Sequence, residues 1–241
     1  MASISVICPS VRTAGLYLVK KALDRQSFTD FEWLICSPDK PQLLKDCEYD
    51  VTWLEDDFIG GYWSLNRAYN YLIKNASGKL IVSWQDYTYA NPDALEKFYN
   101  CYQAEPNSLV SGVGNKYSDE TWTVKTWQDP RQRSDFGSYY ACNPCSIEWN
   151  FCSCPKSALI DIGGFDEQMD LLGYGLDGIS VNDRIESLGN YNFKLDQTNQ
   201  SYSLEHKRKP DWEEHNLLHG GYQARKQELI DKGTWPCLNY L

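Results

Sequence analysis

Apolar runs and helical patterns alternate through the first 108 residues of this 241-residue chain. Four short runs have the apolar composition of strands, at 3–8, 31–36, 51–54 and 80–84. Leu16, Val19 and Leu23 recur at helical spacing after the first run, and an apolar stripe from Leu65 to Ala76 marks a longer helix. The order β-α-β-β-α-β-α predicts parallel strands joined by right-handed crossovers.

Two helix starts carry capping signals. Ser64 precedes the apolar stripe and is predicted to cap that helix with its side chain. Asn91, followed by Pro92 at the first helical position, predicts the start of a third helix.

The pattern changes in the second half of the chain. Its predicted elements are strands at 109–113, 121–127 and 191–195, a helix from 177 to 189 and a terminal helix from 220. The stretch 127–150 is rich in Gly, Asn, Pro and aromatic residues, and we expect it to build a pocket. Most aromatic residues are expected in the core, but two or three could line the pocket as stacking surfaces, with Tyr87 as the first choice. The candidates near predicted loops or strand ends are Trp63, Trp84, Tyr87, Trp122, Trp127, Tyr139, Tyr140, Trp149 and Tyr174.

The net charge of −10 disfavours broad, nonspecific binding to nucleic acid. Two basic runs, 131–133 and 206–209, are interpreted as solvated loops or as counter-charges for a substrate phosphate. No apolar run approaches the roughly 18 to 20 residues that cross a bilayer, and the first twenty residues resemble a strand and helix rather than a signal peptide. We therefore expect a cytoplasmic protein.

The chain has nine cysteines, and a disulfide framework is not expected. Cys142 and Cys145 have the spacing of a zinc knuckle, whereas Cys152 and Cys154 alternate as in a strand, with both thiols on one face. Both a structural zinc site and free core thiols remain open, and free thiols are favoured.

One carboxylate stands out. The apolar run 80–84 leads directly to Asp86, and a helix follows. In an α/β sheet, such a residue lies at the carboxyl end of a strand, where substrates bind. The alternative is a turn or helix-capping carboxylate.

Five segments, in this order and spacing, resemble the family-2-like nucleotide-sugar glycosyltransferases with the A-type fold: Ser5–Ser10, Leu65–Ala68, Gly78–Ile81, Asn91–Asp93 and Ile162–Glu167. The resemblance implies an α/β fold with a Rossmann-like mixed sheet, helices on both faces and a single domain over 1–241. It implies that 1–108 binds the nucleotide sugar and that 109–241 holds the acceptor and a C-terminal tail.

By position, the resemblance implies nine residues at the donor site: Pro9, Ser10, Arg12, Asp39, Asn66, Arg67, Gln85, Asp86 and Tyr87. One of these correspondences is a departure from the family. The family has Asp-x-Asp after its fourth strand, and here Gln85 and Tyr87 replace both outer acids.

The departing nucleoside diphosphate develops negative charge that must be neutralised. Asp86, with His206 at the position of the family's late histidine, could hold Mn²⁺ or Mg²⁺. Alternatively, cationic side chains replace the ion, namely Arg12, Arg67, Lys207 and Arg208. The metal-dependent reading is favoured.

Transfer with inversion needs a base that removes the proton of the acceptor hydroxyl. The resemblance assigns this role to Asp177, with Asp170 and Asp183 as rivals. Leu176 replaces the family's Glu, which puts the usual acceptor contacts of that Glu in doubt. The alternative for Asp177 is a helix cap.

The expected function is therefore an inverting glycosyltransferase, with a nucleotide-sugar donor and a saccharide or another hydroxyl acceptor. Two alternatives remain. One is a catalytically weak protein that binds nucleotide sugars or carbohydrates, and the other is a glycosyltransferase acting on a modified nucleic-acid base. A nucleotidyltransferase is disfavoured because Val11–Gly15 is too poor in Gly and in Lys or Arg to form its phosphate loop.

Overall fold

The computed structural model describes residues 2–56, 64–172, 177–205 and 218–241. The strands of this part are β1 (Ile4–Pro9), β2 (Phe31–Ser37), β3 (Asp50–Glu55), β4 (Leu80–Trp84), β5 (Thr88–Ala90), β6 (Ser108–Tyr117), β7 (Lys125–Trp127), β8 (Tyr139–Ala141), β9 (Phe151–Pro155) and β10 (Asn192–Leu204). The helices are α1 (Leu16–Leu23), α2 (Leu65–Asn75), α3 (Ala94–Ala104), α4 (Lys156–Asp161), α5 (Met169–Leu172), α6 (Asp177–Leu188) and α7 (Leu218–Asp231).

All of these strands belong to one mixed sheet. Its main order is β3-β2-β1-β4-β9-β6-β10-β5, with β7 beside β6 and β8 beside β10. The strands β3, β2, β1 and β4 are mutually parallel, whereas β9 runs antiparallel to both β4 and β6. The chain moves outward from β1 to β2 and β3, and then returns to place β4 on the other side of β1. The carboxyl ends of β1 and β4 therefore form a topological switch point, where ligands of open α/β sheets bind.

Helices cover both faces of the sheet, as the resemblance implies. Alternate residues of β1 enter two separate cores, Ile4 and Val6 on one face and Ile7 on the other. The first core includes side chains of α1 and α3, and the second includes side chains of α2, α4 and α6. The two faces explain why the parallel strands are apolar throughout rather than alternating.

The elements predicted for the first half are all present in order, with one short strand, β5, that was not predicted before α3. Both predicted helix starts differ in detail. The α3 helix begins at Ala94, with Asp93 rather than Asn91 at its N-cap. Ser64 does occupy the N-cap of α2, yet its hydroxyl donates to Asp56 (2.7 Å) and makes no capping bond. In the second half, the strand predicted at 191–195 extends to Leu204, since β10 pairs with β6 along most of its length.

Side chains from distant parts of the sequence cap both helices. Asp170 accepts hydrogen bonds from the backbone N–H groups of Asn66 (3.0 Å) and Arg67 (3.1 Å) at the start of α2. Gln26 accepts one from the N–H of Leu95 (2.9 Å) at the start of α3. These acceptors satisfy N–H groups that have no partner within a helix, and they tie each helix to a neighbouring segment.

Two further expectations concern membranes and thiols. None of the helices in the described ranges is long and apolar enough to cross a bilayer. Cys152 and Cys154 are both fully buried in the same core as α2, as their alternation along β9 predicts. Across these same ranges, no three His, Cys, Asp or Glu side chains are grouped so that they could hold a metal ion.

The long-range cap of α2 should contribute measurably to stability. Asp170→Ala removes the acceptor of two backbone N–H groups and of the Asn66 side-chain amide. We expect the free energy of unfolding to fall by about 1–3 kcal/mol, as measured by urea denaturation. Asp93→Ala is the matched control, because Asp93 occupies an N-cap without a capping bond and only pairs with Lys97 at 2.9 Å. It should cost less than about 1 kcal/mol, and equal losses in the two variants would contradict the assigned cap.

Candidate functional site

A buried carboxylate network lies where β1 and β4 end. Asp86 is only 3% exposed, although it follows directly on the end of a strand. Its Oδ2 accepts hydrogen bonds from Ser10 Oγ (2.6 Å) and Arg12 Nε (3.3 Å), and its Oδ1 accepts one from Arg12 Nη2. The backbone N–H of Arg12 in turn donates to Ser10 Oγ (3.1 Å). Three residues predicted for the donor site are thus brought together at the switch point.

The guanidinium group of Arg12 is only partly used by this network. Its Nε and Nη2 face the carboxylate, whereas its buried Nη1 has no hydrogen-bond partner within the described ranges. A buried N–H group without a partner is costly. Arg12 therefore retains a donor that an anionic ligand could engage.

Tyr87 packs against Arg12 in an unusual backbone conformation. Its φ of +57° lies in the left-handed region, which a residue with a side chain adopts only when its surroundings require it. Its N–H donates to the carbonyl of Gly15 (3.2 Å), and a Cβ at Gly15 would lie 2.2 Å from the Tyr87 ring. The Arg12 guanidinium carbon lies 5.3 Å from the ring centroid, within the range of a cation–π contact. Tyr87 thus helps to fix Arg12.

Three more predicted donor-site residues lie at the same edge of the sheet. Pro9 is half-buried and ends β1, and Asp39 is exposed in the turn after β2, where its carbonyl accepts a hydrogen bond from Ser37 (2.8 Å). Gln85 is half-buried, and its N–H donates to the carbonyl of Asn150 (2.9 Å). That last bond joins the end of β4 to the segment that leads into β9.

Asn66 and Arg67 are placed differently. Asn66 is 1% exposed, and its side-chain amide donates to Asp170 (2.8 Å), so the described contacts give it a structural role and lend no support to a donor-site role. Arg67 is exposed and lines a cleft of about 480 Å³ together with Glu55 and Asp56, at the end of β3.

The geometry does not suit Asp86 as a metal ligand. Both of its oxygens accept hydrogen bonds from Arg12 or Ser10, so a cation would have to displace a guanidinium group from a buried carboxylate. Such a displacement would leave the Arg12 guanidinium group without its carboxylate partner and next to the incoming positive charge, which is unfavourable. The second predicted ligand, His206, lies outside the described residues, as do Lys207 and Arg208. Among the described residues, Asp86 is thus paired with Arg12 and Ser10 rather than open to a cation.

The predicted base, Asp177, is the first residue of α6, and its side chain lies outside the described part of the chain. The next residue, Gly178, packs against Trp149, since a Cβ there would lie 2.7 Å from the indole ring. The indole Nε1 of Trp149 donates to Asn182 (3.1 Å) on α6, and its carbonyl accepts hydrogen bonds from Tyr69 and Ser83. The first turn of α6 therefore lies at the end of the sheet that carries Asp86.

The two rival carboxylates are engaged elsewhere. Asp170 caps α2, and its burial raises its pKa above the usual value despite the hydrogen bonds from Asn66 and Arg67. Asp183 accepts hydrogen bonds from Tyr222 (2.5 Å) and Lys226 (3.1 Å), which connect α6 to α7. Both are occupied by structural contacts.

The pocket expected from 127–150 is present as a second cleft of about 240 Å³, close to the segment that carries Asp86. Thr88 and Asn150 line it, together with Glu148 and Arg131. The interpretation of Arg131 as a solvated loop residue is wrong, because its side chain is 14% exposed and binds Asp129 at 2.5 Å. The abundance of Gly, Asn and aromatic residues in 127–150 was the only signal of a pocket here, and it named no particular side chain.

Comparisons with known proteins give a fold but no close relative. No protein-family model and no curated protein matches the sequence. The structure is similar to that of GalNAc-T7 in complex with UDP, GalNAc and Mn²⁺, with a TM-score of 0.66 and 9% identity over 88% of this chain and 45% of that one. It is also similar to TarS from S. aureus.

The TarS fragment 1–349 in complex with UDP-GlcNAc gives a TM-score of 0.65 and 14% identity over 87% of this chain and 60% of that one. The structure of TarS itself gives a TM-score of 0.66 and 12% sequence identity over 99% of this chain and 41% of that one. The chain thus spans about half the length of these proteins. The similarity covers most of the chain, and the protein has the A-type glycosyltransferase fold.

Proposed function

We propose that the protein transfers a sugar from a nucleoside-diphosphate sugar to an acceptor hydroxyl, with inversion at the anomeric carbon. The observation that carries the proposal is the Ser10–Arg12–Asp86 network at the switch point of an A-type glycosyltransferase sheet. Two of the similar structures, GalNAc-T7 and TarS, contain UDP or UDP-GlcNAc. A donor of this class supplies the diphosphate that the free N–H of Arg12 could bind.

Arg12 has the central role in departure of the leaving group. As the glycosidic bond breaks, negative charge collects on the diphosphate, and a fixed cation at that position stabilises the transition state. Asp86 and Tyr87 hold the guanidinium group on two sides before any ligand arrives. A preorganised cation needs little rearrangement during the reaction, which is the source of its catalytic benefit.

We further propose that this neutralisation does not require Mn²⁺ or Mg²⁺. The support is the engagement of both Asp86 oxygens and the replacement of the family's outer acids by Gln85 and Tyr87. Mn²⁺ accompanies UDP in the GalNAc-T7 structure, so a metal held by Asp86 and His206 is the competing assignment.

Asp177 is the proposed base. It would accept the proton of the acceptor hydroxyl while that oxygen attacks the anomeric carbon and the diphosphate leaves from the opposite face. The packing of Gly178 against Trp149 and the link between Gln85 and Asn150 support this role, because they join the start of α6 to the end of β4. The structural contacts of Asp170 and Asp183 disfavour the rivals.

The role of Arg12 can be tested by donor binding. Thermal-shift titrations with UDP, GDP, CDP and dTDP sugars select the donor, and its dissociation constant is then measured in EDTA and in Mn²⁺. We expect binding in EDTA to remain within about twofold of that in Mn²⁺, and Arg12→Ala to weaken it by about tenfold or more, the scale of a lost charge-assisted hydrogen bond. Arg12→Lys keeps the charge without the planar fork and should be intermediate.

Arg25→Ala is the matched control, because Arg25 is an exposed arginine just beyond α1. It should leave the dissociation constant unchanged. Loss of binding in EDTA would instead support a metal-dependent site, and equal effects of the Arg12 and Arg25 variants would refute the proposed contact.

The base can be tested by comparing Asp177→Asn with Asp183→Asn. The first substitution removes the proton acceptor, and we expect release of nucleoside diphosphate from the selected donor to fall by about 10²–10⁴-fold with nearly unchanged donor affinity. The second alters only the contacts to Tyr222 and Lys226 and should leave the rate within severalfold of wild type. A protein that binds the donor but releases no diphosphate even as wild type would be a binding protein rather than a transferase.

A further inference from the structure

The second cleft is directly connected to the Asp86 network. Thr88 lines the cleft, and its hydroxyl donates to the backbone carbonyl of Asp86 (3.3 Å) and shares a hydrogen bond with Ser203 (3.0 Å). Asn150 also lines it and binds Gln85 through its carbonyl. A molecule in this cleft would therefore lie close to the backbone of the segment that carries Asp86.

The lining of the cleft combines polar and apolar groups and carries little net charge, because Lys116 and Arg131 are offset by Glu148 and by the neighbouring Asp129. Hydroxyl groups come from Thr88, Ser201 and Ser203, and side-chain amides from Asn115 and Asn150. Asp129 offsets the charge of Arg131 at 2.5 Å. Hydroxyls and amides both donate and accept hydrogen bonds, which suits a neutral molecule that carries many hydroxyl groups.

Two glycines of β6 form part of the wall of the cleft, where the strand packs closely against its neighbours. A Cβ at Gly112 would lie 2.5 Å from the carbonyl of Asn199 and 2.7 Å from the ring of Phe151. A Cβ at Gly114 would lie 3.0 Å from Ser201 Oγ. The backbone of β6 therefore approaches its neighbours too closely for a side chain at Gly112 and tolerates only a tight one at Gly114.

Glu148 is a fixed hydrogen-bond acceptor at the cleft. Arg131 holds its carboxylate at 3.4 Å and is itself fixed by hydrogen bonds to Ser111 (3.0 Å) and to the carbonyl of Ser146 (2.6 Å). The side chain of Glu148 is 45% exposed, and its partial burial raises its pKa despite the nearby Arg131. A half-exposed carboxylate of fixed position can select one hydroxyl of a ligand.

Trp127 provides an apolar surface at the same cleft. It is 41% exposed on the short strand β7, with the ammonium group of Lys116 5.5 Å from its ring centroid. A large exposed aromatic ring among polar groups is typical of a binding surface, because it offers contact area at a low cost in conformational entropy.

We infer that this cleft binds the acceptor and that the acceptor is a saccharide, with one sugar ring stacked on Trp127 and a hydroxyl hydrogen-bonded to Glu148. The inference deepens the proposed function, and the identification of the bound saccharide as the acceptor depends on that function. The near balance of charge in the cleft favours a neutral sugar over the phosphate-rich backbone of a nucleic acid.

Saturation-transfer NMR tests the inference with a defined panel, the methyl α- and β-glycosides of glucose, galactose, mannose and N-acetylglucosamine, in the presence of UDP. We expect at least one glycoside to bind the wild-type protein. Trp127→Ala should weaken that binding by about fivefold or more, whereas Trp127→Phe, which keeps an aromatic face, should weaken it less. Glu148→Gln should also weaken it, since it replaces one acceptor oxygen by a donor.

Phe136→Ala is the matched control, because Phe136 is an exposed aromatic residue (44%) that does not line the cleft and packs against Arg133. It should leave glycoside binding unchanged. The inference fails if no glycoside binds, if Trp127→Ala and Glu148→Gln have no greater effect than Phe136→Ala, or if a single-stranded oligonucleotide binds in their place with a steep dependence on salt.

Donor binding separates this failure from failure of the proposed function. UDP, GDP, CDP and dTDP sugars are titrated by thermal shift against the same variants. If a donor binds normally and glycosides ignore the cleft, only the acceptor assignment is wrong. If glycosides bind through Trp127 and none of these donors binds, the cleft is a saccharide site and the transferase proposal is wrong.

Discussion

The proposed site depends on the ion pair between the buried carboxylate of Asp86 and Arg12. Asp86 lies almost fully out of water, where an uncompensated negative charge would be strongly unfavourable. Ser10 and Arg12 stabilise it with three side-chain hydrogen bonds. The same contacts join the ends of β1 and β4, where the order of the sheet reverses. The hydrogen bonds that stabilise the buried Asp86 therefore also hold the Arg12 guanidinium group at the edge where open α/β sheets bind ligands.

Contacts between distant segments hold this end of the sheet in place. Asp170 caps α2 and Gln26 caps α3, so each helix is fixed by a residue remote in sequence. Gly178 packs on Trp149, and this contact brings the first turn of α6 to the same edge. These contacts place groups from both halves of the chain around one region, as a reaction between a donor and an acceptor requires.

The two sides of this region differ in chemistry. On one side, the guanidinium group of Arg12 has an N–H without a partner among the described residues, at the position proposed for a diphosphate. On the other, the cleft at Trp127 and Glu148 combines polar and apolar groups with little net charge, which suits the proposed saccharide. The A-type fold is shared with GalNAc-T7 and TarS over most of this chain, although the sequences are at most 14% identical in these comparisons. Since fold alone does not determine substrates, these side chains carry the functional argument.

The sequence by itself predicted most of the element order and the position of Asp86 after a strand, because hydrophobic periodicity and strand ends are local properties. The resemblance to glycosyltransferases added Ser10, Arg12 and helices on both faces of the sheet. Five segments of the sequence also resemble glycosyltransferases in their order and spacing. Only the tertiary structure decided that Arg12 binds Asp86 and that Asn66 binds Asp170, the residue that caps α2. It also decided that Glu148 and Trp127 line one cleft. Those outcomes depend on pairs of residues far apart in the chain, and a local pattern contains no information about which distant side chain will complete a buried hydrogen bond.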